Sequence, residues 1–438
     1  MLTFLAYALV AVFMTLIMTR RLSPLTALIL VPVAFAIIGG FAADMGPMML
    51  DGITRLAPTG IMLMFAILYF AIMIDTGLFE PFVRWLVRVV HGDPTKVVMG
   101  TAALALLVSL DGDGSTTYMI TTAAMLPLYR RLGIRPLVLA CVAMLSSGVM
   151  NVLPWGGPSA RAASALAIDV ADIFVPMVPA MLICIVWIFY VAYRLGNHER
   201  RRLAAIGGMM VAEVDETLPD ARVPVAPTSR GRMAVNAVLT AVLLLTLVTA
   251  VFPLPVLFMI AFAIALLVNF RTVAEQKGFL ANHAGNVLAV VGLIFAAGVF
   301  TGILSGTKMV DAMAESVIRI IPAPLGPYLS VVTGVLSIPF TFFISNDAFY
   351  FGVLPILAKA GQSYGITAAE MGRASIIGQP VHLLSPLVPS TFLLVGLVGV
   401  DFDEHQRFTL KWALLTSFLM LAAGLVTAVI PVVGRALP

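Results

Sequence analysis

Asp111 and Asp113 stand two positions apart in the run Ser109-Leu110-Asp111-Gly112-Asp113-Gly114-Ser115-Thr116-Thr117-Tyr118. Carboxylates and hydroxyls at this spacing are hard oxygen ligands of the kind that Mg and Ca ions take, and the glycines let the backbone turn tightly around a ligand. The soluble calcium loop is the obvious comparison. Asp111, Asp113 and Ser115 fit its first three ligand positions, but Thr116 stands where it requires glycine and Thr122 where it requires a bidentate Glu. A second acidic turn reads Ile344-Ser345-Asn346-Asp347-Ala348-Phe349-Tyr350. Asp111, Asp113 and Asp347 are therefore the candidate metal ligands.

Two further strings carry chemistry. In Ser146-Ser147-Gly148-Val149-Met150-Asn151-Val152-Leu153-Pro154-Trp155-Gly156-Gly157-Pro158-Ser159-Ala160-Arg161, the two prolines with glycines between them interrupt any regular helix. Such a break presents carbonyls of one half helix and amides of the next, which suit a cation and an anion respectively. Arg161 falls in the first turn after the break, where its planar fork could clamp a carboxylate; snorkelling, or pairing with Asp169 or Asp172, is the alternative. The second string, Gly378-Gln379-Pro380-Val381-His382-Leu383-Leu384-Ser385-Pro386-Leu387-Val388-Pro389-Ser390-Thr391, is a like break with one imidazole. His382 either carries a proton together with Asp347 or hydrogen-bonds a carbonyl freed by Pro386. Trp155 either packs beside the break or stacks on a ligand. Candidate substrate contacts are Ser115, Thr116, Thr117, Asn151, Trp155, Gly156, Gly157, Ser159, Arg161, Ser345, Asn346, Gln379, Ser385, Ser390 and Thr391.

These polar strings interrupt a very apolar chain. Of 438 residues, 26 are Lys or Arg and 22 Asp or Glu, 11% charged against 61% hydrophobic. A soluble protein carries about 25% charge, so this surface must face lipid. Cys141 and Cys184 both lie in apolar runs and build no disulfide framework or zinc site. The net charge of +4 is the excess expected of a membrane protein whose Lys and Arg fix its topology, and no nucleic-acid partner is expected.

Apolar stretches near the ~20-residue spanning length fall at 2–18, 24–43, 58–74, 173–193, 233–251, 254–270, 279–304 and 409–433. Positive charge (Arg20, Arg21) follows the first of them, unlike in a signal peptide, so it is read as a retained span. Lys96 on one side of 97–129 and Arg130, Arg131 and Arg135 on the other put both ends of that segment in the cytoplasm, making it a re-entrant hairpin. By the same tracing a second hairpin, 325–360, opens outside, beside Lys308 and Lys359, and both chain termini are expected outside. Broken helices are expected at 136–168 and 371–400, and 194–232 reads as a polar cytoplasmic linker. A solvated loop is the alternative for the first turn, but Thr117 and Tyr118 run directly into Met119-Ile120.

The halves 1–193 and 233–438 resemble one another. Thr76-Gly77-Leu78 answers Thr301-Gly302-Ile303, Met125-Leu126-Pro127-Leu128 answers Val353-Leu354-Pro355-Ile356, and Pro158-Ser159 answers Pro389-Ser390. Five spans and a hairpin per half turn the second half upside down, so the expected fold is an all-α polytopic membrane protein of two inverted repeats, a transporter signature. Carboxylates at mid-bilayer mark a functional site in such a fold. An intramembrane aspartyl protease would also need them, but its G-x-G-D string is absent and the repeats would go unexplained.

The strings SLDGDGSTTYMITTAAMLPLY, MNVLPWGGPSARAAS, ISNDAFYFGVLPILAKAG and GQPVHLLSPLVPST resemble those of the citrate:proton symporters that carry citrate complexed with a divalent metal. The likeness extends over the whole chain. It implies the fold of the wider ion transporter superfamily, with two re-entrant hairpins and two broken helices, usually a homodimer with an elevator motion. It also implies a cell-membrane importer of metal-citrate with protons as the coupling ion, the metal of Mg or Ca type travelling as co-substrate and no cofactor tightly bound. The superfamily's turns read Ser-Asn-Thr; here Ser115-Thr116-Thr117 carries an acidic prefix and the second turn is Ser345-Asn346-Asp347. A sodium-coupled or metal-free di- or tricarboxylate transporter is the alternative.

Overall fold

A computed structural model of the chain describes residues 2–90, 92–205, 229–249, 252–320, 322 and 324–435, and among them all regular structure is helical. The first apolar runs form α1 (Leu2–Met18), α2 (Pro24–Ile38) and α3 (Met45–Asp75), followed by a short amphipathic α4 (Glu80–Val89). The first hairpin is α5 (Pro94–Val108) and α6 (Gly114–Leu132), and the first broken helix is α7 (Pro136–Met150) and α8 (Gly157–Leu166), leading into α9 (Val170–Ala205).

From α10 onward the succession recurs. α10 (Arg230–Thr249) and α11 (Leu254–Asn269) precede a long α12 (Val273–Gly306) and an amphipathic α13 (Met309–Ile320). A second hairpin follows, α14 (Leu329–Phe343) and α15 (Leu354–Gln362), the latter entered through a π-helical turn, Ala348–Val353. Pro355 explains that turn, because it has no N–H for the Phe351 carbonyl and its ring pushes that carbonyl aside. α16 (Ala368–Ser375) and α17 (Gln379–His382) lead to the second break, after which come α18 (Pro389–Val398) and α19 (Phe402–Val426). Among the described residues, six helical segments are long and apolar enough to cross a membrane: Met45–Asp75, Pro94–Asp111, Val170–Ala205, Val273–Gly306, Gly326–Phe343 and Phe402–Val426.

Several boundaries differ from the sequence reading, each for a physical reason. α3 starts at Met45 rather than 58, since Gly52 and Leu56 in its first turns are buried, Gly52 against the Gly298 carbonyl of α12. α9 continues to Ala205 through residues assigned to the linker. Its Glu199 is fully buried, accepts hydrogen bonds from Arg135 Nε (2.7 Å) and Arg202 Nε (3.0 Å), and so fastens the polar end of α9 to the start of α7. The rest of the expected linker, 206–228, lies outside the described residues. The amphipathic α4 and α13 were not foreseen, because an apolar-run scan passes over helices with only one greasy face.

The long helices α3 and α12 pack along their length. A β-carbon on Gly52 would sit 2.0 Å from the Gly298 carbonyl, and one on Gly302 would sit 2.2 Å from the Met48 carbonyl. Without a hydrophobic drive between helices in lipid, this close backbone approach through small residues four apart holds the pair together. Around it, the hairpins and breaks converge: α6 meets α18, α7 meets α17, and α8 meets the π-helical turn.

Candidate substrate site

Each hairpin turn and helix break leaves backbone groups that no helix can satisfy, and polar side chains fill the gap. At the second hairpin, Asp347 faces the first break: Arg161 Nε donates to its Oδ1 at 2.6 Å. Their side chains are 24% and 13% exposed, so the charges are largely withdrawn from solvent yet reachable. Gly157 makes this geometry feasible, since a β-carbon there would lie 2.6 Å from an Arg161 guanidinium nitrogen. Arg161 thus pairs with Asp347 rather than with Asp169 or Asp172; Asp169 caps the start of α9 through the Ala171 amide at 2.8 Å.

A second cross-link runs beside it. Asn151 Nδ2, at the end of α7, donates to Gln379 Oε1 at 3.2 Å. Gln379 Nε2 in turn donates to Tyr350 OH at 2.9 Å and to Asn346 Oδ1 at 3.4 Å, and Tyr350 donates to the Ser375 carbonyl at 3.3 Å. The second turn and both breaks are thereby joined in one polar network. Ser345 Oγ accepts from the Ala348 amide at 3.2 Å and starts the π-helical turn.

The first turn is built differently. Asp113 caps α6, accepting from the amides of Ser115 (3.1 Å) and Thr116 (3.0 Å) and from the Thr116 hydroxyl (2.7 Å). Asp111 is 8% exposed; its Oδ1 accepts from the Asp113 amide at 2.9 Å, while its Oδ2 is buried without a partner. Gly112 turns the chain with φ +78°, and Trp155 closes over it, donating from Nε1 to the Leu110 carbonyl at 2.8 Å. Ser109 and the buried Thr117 bond across the turn at 3.1 Å, and Ser390 from the second break lies against Gly114.

Other expected contacts are engaged within the breaks. Ser159 donates to the Val152 carbonyl (2.7 Å) and Thr391 to the Leu383 carbonyl, each within its own break, while Ser385 donates to the Phe342 carbonyl (2.6 Å) in the last turn of α14, so these buried hydroxyls satisfy carbonyls at helix ends. Trp155 is buried beside the first break, its ring against Phe70 and Phe258. His382 Nδ1 bonds the Thr341 carbonyl at 2.6 Å, an acceptor in the last turn of α14 rather than one freed by Pro386. Gly156 abuts the Asn151 carbonyl and leaves no room for a side chain. Asp111, Asp113 and Asp347 do not form one metal cage, for among the described residues no three of His, Cys, Asp and Glu gather as a metal would need. Asp113 is committed to its cap, and Asp347 to Arg161. Tyr350 is the participant that sequence reasoning missed. Its only signal was a tyrosine among apolar residues directly after an acidic turn.

The description "Citrate transporter" belongs to the family whose sequence model matches residues 5–378. The chain belongs to the citrate transporter family. A "Citrate transporter" of Bacillus subtilis (strain 168) is 57% identical over 431 residues, covering 98% of this chain and 100% of that one. The "Mg(2+)/citrate complex secondary transporter" of the same organism is 52% identical over 433 residues, covering 99% and 100%. Among solved structures, the YdaH transporter of Alcanivorax borkumensis aligns with a TM-score of 0.58 at 16% identity over 88% of each chain. Neisseria gonorrhoeae MtrF aligns with a TM-score of 0.62 at 16% identity over 92% of this chain and 88% of that one. At that identity the likeness speaks to fold alone, and it bears out the all-helical transporter architecture. This family member is a multi-pass membrane transporter, and the protease reading is set aside.

Proposed function

We propose that the protein imports citrate complexed with a divalent metal of the Mg type, in symport with protons. The observation that carries this reading is the Arg161–Asp347 pair between the start of α8 and the second hairpin turn. A guanidinium held by a carboxylate is a site already shaped for a carboxylate ligand. When a citrate carboxylate takes the Arg161 fork, Asp347 loses its partner beside an anion and becomes available to the travelling metal or to a proton. The half-helix ends at Asn151 and Gly157 supply carbonyls on one side and amides on the other. Asp111, whose Oδ2 faces no partner, supplies a further hard oxygen from the first turn. The relative that carries a Mg(2+)/citrate complex supports the choice of cargo.

Proton coupling rests on Asp347 and His382. With His382 Nδ1 donating to the Thr341 carbonyl, the neutral ring keeps Nε2 as the atom that can take a proton. The recurrence of helices from α10 onward supports two inverted repeats, 1–193 and 233–438. With the site between them, alternating access follows, by an elevator motion of hairpins and breaks against α3 and α12 in a homodimer of the cell membrane.

Uptake of labelled citrate into proteoliposomes tests the reading. Accumulation should require a divalent metal and be driven by an inward proton gradient, with a sodium gradient without effect. Uptake that is equal with and without a chelator, or that follows sodium, would sink it in favour of a metal-free or sodium-coupled carboxylate carrier.

A further inference from the structure

A cavity of about 320 Å3 is lined by residues of α3, α8, α12, α13 and α15, and neither Arg161 nor Asp347 is among them. Its volume is at the small end of the roughly 300–1,000 Å3 usual for ligand pockets. Its lining includes Asp51 and Arg55 of α3, Thr301 and Ser305 of α12, Asp311 of α13 and Lys359 of α15. Leu166, at the end of α8, lines it too, five residues or roughly 7 Å of helix rise beyond Arg161. The cavity therefore abuts α8, which carries Arg161, and α15, which follows the turn that carries Asp347.

Its charges come as two pairs, Asp51–Arg55 at 2.8 Å and Asp311–Lys359 at 3.0 Å. The four side chains are between 40% and 58% exposed. Exposed pairs of this kind hold weakly, so each member can exchange its partner for a ligand. A lining with two cations and two carboxylates repels a free polyanion about as much as it attracts one. It matches a ligand that itself presents both signs, such as a small polycarboxylate with its divalent cation still attached: Arg55 and Lys359 face carboxylates, and Asp51 and Asp311 face the metal.

We propose that this cavity is a second, weaker binding site that captures the metal-carboxylate complex ahead of the central site and discriminates against the free carboxylate. The proposal rests on the reading of the cargo as metal-citrate. The test uses the full chain in lipid nanodiscs, titrated calorimetrically with Mg and citrate together, citrate with chelator, and Mg alone. Folded Arg161→Ala should keep one weak binding event, seen only with Mg and citrate together. Adding Arg55→Gln and Lys359→Gln should weaken that event about tenfold or more, as expected when charge-assisted contacts are lost. Asp51→Asn with Asp311→Asn should instead reduce the preference for the complex over free citrate. In transport assays with Arg161 intact, Arg55→Gln with Lys359→Gln should raise KM while kcat holds. No residual binding in Arg161→Ala, or residual binding indifferent to all four charges, overturns the proposal. So does a fall in kcat at constant KM, which would mark Lys359–Asp311 as a latch between α13 and α15. A parent chain that binds citrate equally with chelator would instead refute the cargo reading.

Discussion

Arg161 and Asp347 lie 186 positions apart and are joined by a 2.6 Å hydrogen bond between opposite charges. One residue is the fifth of the half helix after the first break, and the other ends the second hairpin turn. Neither is tied to the charges nearest it in sequence, and this single contact sets the geometry in which an anionic ligand would have to compete.

Arg161→Lys should weaken metal-citrate binding by about tenfold, because the bidentate fork is lost while the charge stays, and Arg161→Ala should weaken it further. Calorimetry on folded protein in nanodiscs checks this. Parental affinity in Arg161→Ala would remove the clamp from the mechanism.

Asp347→Asn, and His382→Gln beside it, should retain citrate exchange across the membrane while losing acceleration by an inward pH gradient. Exchange and net accumulation measured on the same proteoliposomes separate the two. A variant that still concentrates citrate with the parental pH dependence places its residue off the proton path.

Asp113 and Asp111 should part company. Asp113→Ala removes the cap of α6 and should cost about 1 kcal/mol of stability, most of it restored in Asp113→Asn. Asp111→Asn keeps an oxygen for the Asp113 amide but removes the charge, so it should shift metal preference and weaken metal-citrate binding. Thermal unfolding and metal titrations read the two effects, and an unchanged metal response in Asp111→Asn would return that residue to a turn-forming role.

Gln379→Leu should strand the polar groups of Asn151 and Asn346 that it now joins, and leave Tyr350 only its bond to the Ser375 carbonyl. Leaving a buried group unsatisfied costs about 1–3 kcal/mol, so a lowered melting temperature and weaker citrate binding are expected together. Loss of stability with citrate affinity intact would make the network a scaffold only.

Gly302→Leu should separate α3 from α12, because even a β-carbon there meets the Met48 carbonyl at 2.2 Å. Overpacking of this kind costs typically about 1–3 kcal/mol. A melting temperature equal to the parent's would show that the two helices do not depend on this approach.

What the amino-acid sequence determined by itself is local or compositional. Low charge and long apolar runs require lipid, because no soluble surface can be built from them. Pro154 and Pro158 with Gly156-Gly157, and Pro386 and Pro389 after His382, mark the breaks by local rules alone, Pro158 and Pro389 standing in the first turns of α8 and α18, where a missing N–H is no loss. The turn between α5 and α6 was legible in the same way, from the glycines and carboxylates at 111–114 between two apolar runs. Helices with one polar face were not: α4, α13 and the end of α9 owe their form to partners such as Arg135 for Glu199.

Only the tertiary structure decided what each polar residue does. A carboxylate can serve as a helix cap, an ion-pair partner or a metal ligand, and its own sequence neighbourhood is compatible with all three. Asp113 finds the amides of its own helix, Asp347 finds a guanidinium from the other end of the chain, and Asp111 keeps one oxygen unpartnered. Ser159, Ser385 and Thr391 read as ligands from composition, yet Ser159 and Thr391 each meet a carbonyl of their own break, and Ser385 meets the Phe342 carbonyl at the end of α14. Which partner wins depends on which atoms the fold brings within about 3 Å, and at separations such as 151 to 379 no periodicity along the chain records that distance.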